Sequence, residues 1–101
     1  LDLIYKGTVL GHEPTLLNMR KEVVTIRNSS TNIYSNIGIT PILPNQNNTD
    51  TIEISFDGTT FYPHLTLNQI IPSEEVDLYI SITKDRSVGS YGTRHFVLEL
   101  D

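Results

Sequence analysis

The 101-residue sequence contains no cysteine, no tryptophan and no alanine. Without cysteine the chain can form no disulfide, no thiolate nucleophile and no zinc–thiolate site. The absence of both cysteine and tryptophan also disfavours an antibody-type domain, whose two sheets are joined by a disulfide packed against a tryptophan. A chain without alanine but rich in isoleucine, valine and threonine favours strands over helices, because β-branched side chains fit a pleated sheet.

Positive charge is also scarce. Seven lysines and arginines stand against twelve aspartates and glutamates, which gives a net charge of −5 and a pI of about 5.0. Phosphate binding needs clustered basic residues, so we expect no nucleic-acid partner and no attachment to an anionic membrane surface. No apolar run reaches the roughly 18 residues of a membrane-spanning helix, so we also expect no membrane insertion.

The length of the chain corresponds to one domain. The sequence starts at Leu1 rather than at a methionine, and its first residues do not have the shape of a signal peptide. We therefore expect a single β-sandwich domain over residues 1–101 that has been excised from a longer protein.

Alternation of apolar and polar residues predicts strands with one buried face, most clearly at residues 76–82. The turn signals between such segments have the spacing of a sandwich. The predicted fold is all-β, a seven-stranded antiparallel immunoglobulin-like β-sandwich. Its predicted strands are residues 3–10, 22–27, 33–42, 51–56, 65–70, 76–82 and 94–100.

The same alternation predicts which side chains face the core. The predicted inward residues are Ile37, Ile39, Ile52, Ile54, Phe56, Val76, Leu78, Ile80, Ile82, Phe96, Leu98 and Leu100. The dipeptide Asp57-Gly58 predicts a hairpin between the fourth and fifth strands. Proline removes a ladder donor, so Pro41, Pro44, Pro63 and Pro72 are expected near strand ends, where they would blunt sheet edges.

Catalytic chemistry is sparse. His12, His64 and His95 are not spaced like metal ligands, and neither a serine nucleophile motif nor a phosphate-binding loop is present. We therefore expect no enzymatic activity, no catalytic residue, no cofactor and no metal, although a calcium ion in the Pro44–Asp50 loop remains an open alternative. Asn28-Ser29-Ser30 and Asn47-Asn48-Thr49 match the N-glycosylation sequon, as an asparagine- and threonine-rich chain does by chance.

Three tyrosines are the candidate binding residues: Tyr34, Tyr62 and Tyr91. They fall in or near predicted loops, where a rigid amphipathic ring can contact a sugar or a protein surface. The alternative is that each ring covers a sheet edge or packs across a corner of the fold.

The order of strands and turns resembles that of the small immunoglobulin-like domains appended to virion proteins of tailed bacteriophages. The segments that carry the resemblance, within residues 20–83, are Ile26–Ser30, Asn36–Pro41, Ile54–Phe61, Leu67–Glu75 and Leu78–Ile82. Such domains occur on tail, baseplate, fibre and capsid-decoration proteins and are not known for catalysis. The resemblance therefore implies a sandwich fold and no catalytic residues.

The expected function is a non-enzymatic structural or adhesive module of a phage virion or cell-surface assembly, which displays loops for attachment or joins subunits. Expected partners are other subunits of that assembly and host-surface glycans, and the expected location is the virion or an extracellular surface. We expect the isolated domain to be monomeric. The alternatives are a carbohydrate-binding module and an accessory domain of a larger enzyme.

Overall fold

The computed structural model describes residues 1–8, 19–43, 51–83 and 96–101. These residues form seven strands and no helix, so none of them belongs to a helix that could cross a membrane. The strands are β1 (Asp2–Thr8), β2 (Met19–Arg27), β3 (Tyr34–Ile42), β4 (Thr51–Ser55), β5 (Leu65–Ile70), β6 (Glu75–Thr83) and β7 (Val97–Leu100). The all-β prediction is confirmed, and each predicted strand overlaps an observed one.

The strands form two antiparallel sheets. Sheet A has the order β1-β2-β6-β4, and sheet B has the order β5-β3-β7. In a constant-type immunoglobulin domain the four-stranded sheet combines the first, second, fourth and fifth strands. Here the sixth strand takes the place of the fifth, and every connection after β2 passes from one sheet to the other.

The inner faces of the two sheets share one hydrophobic core. Leu78, Ile80 and Ile82 of β6 have exposures of 0%, as the alternation of that strand predicts. Sheet B contributes Ile37 and Ile39 from β3, with exposures of 5% and 0%. Burying such aliphatic side chains stabilises the fold by about 1.5–3 kcal/mol each.

The prediction that Phe56 faces the core is wrong, because its side chain is 38% exposed. The alternation of β4 ends before it, since Ile54 and Ser55 are both fully buried. The chain then leaves β6 and turns back at Asp57 and Gly58. Phe56 therefore lies in a turn and not on the inner face of a strand.

The predicted hairpin between β4 and β5 is also wrong, because the two strands lie in different sheets. The turn does reverse the chain, but the reversal is closed by one bridge, in which Ile54 and Tyr62 exchange two backbone hydrogen bonds of 2.8 Å. After that bridge the chain crosses to sheet B and begins β5 at Leu65.

Pro41 is not at a sheet edge, because it lies in β3, the central strand of sheet B, opposite Leu98 of β7. The Gly38 carbonyl accepts a hydrogen bond from the amide of Asp101, so Gly38 points its backbone towards β7. By alternation Pro41 points its nitrogen to the other side, where the pairing with β5 ends at Leu65. The missing donor of Pro41 therefore removes no ladder hydrogen bond.

Candidate functional site

The turn after β4 is held by one serine and one aspartate. The Ser55 hydroxyl donates to Oδ1 of Asp57 at 2.7 Å and accepts from the amides of Asp57 and Gly58. Oδ1 of Asp57 also accepts from the amides of Thr59 and Thr60 at 2.8 and 3.0 Å. Because these donors favour the carboxylate, the hydrogen bonds from Ser55, Thr59 and Thr60 lower the pKa of Asp57 from 3.8 to about 2.

This turn folds over the outer face of sheet A. Gly58 has a φ of +79° and lies against the ring of Tyr79, which points outward from β6 as the alternation of that strand predicts. Farther along, the ammonium group of Lys21 lies 5.1 Å from the ring centroid of Phe61. These contacts fix the turn on the sheet and leave two aromatic side chains, Phe56 and Tyr62, exposed to 38% and 48%.

Only one of the three predicted binding tyrosines is an exposed ring in the described residues. Tyr62 is 48% exposed, whereas Tyr34 is half-buried, packs against the core and pairs with Ile70 of β5. Asn36 has a φ of +54°, and the regular alternation of buried and exposed side chains in β3 begins only after it, at Ile37. Tyr91 lies outside the described residues, as do His12, His95 and the Pro44–Asp50 loop.

Tyr34 and Tyr62 do not form a common aromatic platform along one strand. Tyr34 opens β3 in sheet B, whereas Tyr62 extends sheet A by one bridge beside β4. The aromatic residue that shares the turn with Tyr62 is Phe56, which the sequence pattern assigns to the core. The only sequence signal that Phe56 is exposed is its position directly before Asp57-Gly58. The apolar alternation of β4 is a stronger signal, and it assigns Phe56 to the core.

Asn28 matches a glycosylation sequon, but its side chain has a structural role in the folded domain. The residue is fully buried, and its amide nitrogen donates to the carbonyls of Asn32 and Ile70 at 2.7 and 3.1 Å. Its side-chain oxygen accepts from the amide and hydroxyl of Ser30. A glycan would take the place of one of the two N–H hydrogens that this nitrogen donates, and a fully buried nitrogen leaves no room for a sugar, so the folded domain does not accommodate a glycan on Asn28.

The third described cluster lies on the outer face of sheet B. Nδ1 of His64 and the hydroxyl of Thr40 form a hydrogen bond of 2.9 Å. His64 and Asp101 flank Gly38, where an added Cβ would meet them at 3.3 and 3.4 Å. Both side chains are exposed, and the described residues contain no group of three His, Cys, Asp or Glu side chains placed to hold a metal ion.

Strand β1 carries an exposed apolar surface that the sequence did not indicate. Leu3 and Tyr5 pair with Ile26 and Val24, so they share the inner face of sheet A, yet they are 44% and 59% exposed. A three-stranded sheet does not cover the edge of a four-stranded one. The Tyr5 hydroxyl donates to Oε1 of Glu22, a carboxylate that is only 2% exposed.

Comparison of the chain with protein-family models, with curated proteins and with solved structures finds no match in any of the three. The surfaces formed by the described residues include the aromatic turn with Phe56 and Tyr62, the polar patch around His64, and the apolar edge formed by Leu3 and Tyr5. The first and third expose side chains suited to contact rather than to catalysis.

Proposed function

We propose that this domain is a non-enzymatic structural module that joins subunits of a larger assembly. The observation that carries the proposal is the apolar surface of β1 on the inner side of sheet A, where Leu3 and Tyr5 are 44% and 59% exposed beside a buried core. Exposed apolar side chains that continue a core are typical of surfaces that another chain covers. A seven-stranded domain with such an edge is suited to connect neighbours in a fibre, tail or shell.

The resemblance of residues 20–83 to domains of bacteriophage virion proteins supports a virion or an extracellular surface as the location. The seven strands in two antiparallel sheets are compatible with an immunoglobulin-like fold in the broad sense, although β6 replaces the fifth strand in sheet A and β3 is the central strand of sheet B. The net charge of −5 favours protein or glycan partners over nucleic acid.

Site-specific photo-crosslinking in the full-length parent protein tests this role. A benzophenone amino acid at Leu3 is expected to capture a subunit of the same particle, identified by mass spectrometry, because this side chain lies on the proposed contact edge. The same group at Thr66, which is exposed on sheet B, is the matched control. Absence of any particle subunit from the Leu3 product, or equal capture from both positions, would overturn the assembly role.

A carbohydrate-binding function is the second candidate, favoured by the exposed rings of Phe56 and Tyr62 on one turn. Sugar rings stack on exposed aromatic faces, so Tyr62→Ala should abolish binding to a glycan array or to bacterial cell walls, while Tyr62→Phe should keep most of it. Phe56→Ala would test in the same assay whether the ring of Phe56 also contacts the sugar. If the parent domain binds none of these surfaces, this second function is excluded.

A further inference from the structure

The turn after β4 contains the dipeptide Asp57-Gly58, a sequence in which aspartate converts to isoaspartate in unstructured peptides. The amide nitrogen of Gly58 attacks Cγ of Asp57, and glycine has no side chain to hinder the attack. A bond forms between that nitrogen and Cγ, while the hydroxyl of the protonated carboxyl leaves with the amide proton as water. The resulting succinimide ring takes up one water at either of its two carbonyls, which yields aspartate or isoaspartate.

Hydrogen bonds of the folded turn occupy both reacting groups. The Gly58 amide donates to the hydroxyl oxygen of Ser55 at 2.9 Å. Oδ1 of Asp57 accepts from the Ser55 hydroxyl at 2.7 Å. It also accepts from the amides of Thr59 and Thr60 at 2.8 and 3.0 Å. The reaction needs the Gly58 proton to leave and Cγ to move onto the nitrogen, so these hydrogen bonds must break first.

The same hydrogen bonds hold Asp57 in its unreactive charge state. The leaving hydroxyl belongs to the protonated acid, which is a better electrophile than the carboxylate. The hydrogen bonds from Ser55, Thr59 and Thr60 lower the pKa of Asp57 from 3.8 to about 2. At neutral pH the folded turn therefore holds a smaller share of the reactive acid than the unfolded chain does.

The turn that carries these hydrogen bonds is anchored at several points. Ser55 is fully buried, and Ile54 and Tyr62 close the turn with two backbone hydrogen bonds of 2.8 Å. An added Cβ at Gly58 would lie 3.4 Å from the ring of Tyr79, so the glycine rests against the outer face of sheet A. The reactive peptide group therefore becomes free only when the turn opens.

We propose that Asp57 is a site of isoaspartate formation that the folded turn keeps closed and that local opening of the turn activates. Conversion inserts Cβ of Asp57 into the main chain and leaves the carboxylate on Cα. The amides of Thr59 and Thr60 then lose the acceptor that Oδ1 provides. The longer turn no longer matches the bridge between Ile54 and Tyr62, so the change releases the aromatic turn from sheet A, and refolding does not reverse it.

The rate of conversion at neutral pH tests the proposal. Peptide mapping with fragmentation that distinguishes the two isomers measures isoaspartate at Asp57. The folded parent should convert at least about tenfold more slowly than the same chain unfolded in urea, because only the small opened fraction reacts. Between these limits the rate should rise with the opened fraction as urea is added. Conversion of the folded parent at the rate of the unfolded chain, or a rate independent of urea, would overturn the proposal.

Ser55→Ala removes the hydroxyl that accepts from Gly58 and donates to Asp57. Where circular dichroism shows both proteins folded, the variant should convert at least about tenfold faster than the parent. Ser81→Ala is the matched control, because it removes a hydroxyl from the outer face of β6 in the same sheet and should keep the parent rate. Equal rates in all three proteins would overturn the proposal. If Ser55→Ala does not fold, the urea series of the parent decides.

Hydrogen exchange of the purified isoaspartate product tests the consequence. The amides of Ile54 and Tyr62 form the bridge, so they should exchange at least about tenfold faster than in the parent. The amide of Ile80, in the core strand β6, should keep its protection. Unchanged exchange at both bridge amides would show that the turn survives the conversion and would overturn its release from sheet A.

Discussion

Asn28 shows how one side chain can connect the two sheets. It follows β2, and its amide reaches the last carbonyl of β5, while its own backbone bonds to Ser73 and Glu74 before β6. A buried carbonyl that loses its donor costs about 1–3 kcal/mol, because it loses water as well. The residue thus closes one end of the domain.

Replacing Asn28 by aspartate should destabilise the domain at neutral pH by at least about 2 kcal/mol, since two donors are lost and a carboxylate faces two carbonyl oxygens. Protonation of that carboxylate would restore one donor, so the loss should shrink as the pH falls towards 3. Urea unfolding at pH 7 and pH 3 measures both effects. Asn32→Asp is the matched control, because Asn32 contributes only backbone groups; an equal loss in both variants would contradict this role of Asn28.

Asp57 gives the domain a predictable acid response. Its pKa is about 2 in the folded state and is close to the ordinary 3.8 when the chain is unfolded. A lowered folded-state pKa stabilises the fold above the unfolded value, and this stabilisation is lost as the pH falls from about 4 to about 2.

As the pH falls from about 4 to about 2, the parent should therefore lose unfolding free energy that Asp57→Asn does not lose. The stability difference between the two proteins should shift in favour of the variant. Denaturant unfolding between pH 7 and pH 2 measures it, with Glu53→Gln as a control for an exposed carboxylate on the neighbouring strand. A parent-minus-variant difference that is constant between pH 4 and pH 2 would show that the hydrogen bonds to Asp57 do not stabilise the folded state.

At the scale of elements, β6 is the strand on which sheet A depends. It pairs with β2 over nine residues and with β4 over five, and it supplies three fully buried side chains. The regular alternation of β6 keeps these on one face, while Tyr79 and Ser81 face the other.

Leu78→Ala and Ile80→Ala should each destabilise the domain by about 2–5 kcal/mol, because each would leave a cavity in the core that the neighbours fill only partly. Ser81→Ala, on the opposite face of the same strand, should change stability by less than about 0.5 kcal/mol. Thermal or urea unfolding of the three variants gives the comparison. Melting of Leu78→Ala or Ile80→Ala at the temperature of the parent would show that the inward face is misassigned.

At the scale of the whole molecule, the unequal sheets determine how the domain meets its surroundings. Four strands facing three leave the apolar side of β1 exposed, although the core itself is closed by Leu78, Ile80 and Ile39. The exposed parts of Leu3 and Tyr5 are too small to hold free copies of the domain together at low concentration, because association costs more than two partly exposed side chains return.

The isolated domain should therefore sediment as a monomer of 11.4 kDa at low micromolar concentration. Sedimentation equilibrium tests the expectation. A stable oligomer at low micromolar concentration would contradict it and would indicate an interface larger than the exposed part of β1.

The sequence by itself determined the strands and most of their faces. Alternation with period two is a local property, so it identified β6 and the inward positions Ile37 and Ile39 before any neighbour was known. It failed where the chain departs from that period, at Phe56 beside the turn. The candidate tyrosines were chosen from their positions near predicted loops, which does not distinguish the exposed Tyr62 from the half-buried Tyr34.

Which strands are neighbours depends on tertiary contacts that no local pattern specifies. The pairing of β4 with β6 rather than β5, the central place of Pro41, and the exposed edge with Leu3 and Tyr5 depend on contacts between residues far apart in the chain. Alternation states which face of a strand is apolar, but it carries no information on whether another strand covers that face. The surface that we assign to assembly is therefore a property of sheet order and not of any local pattern.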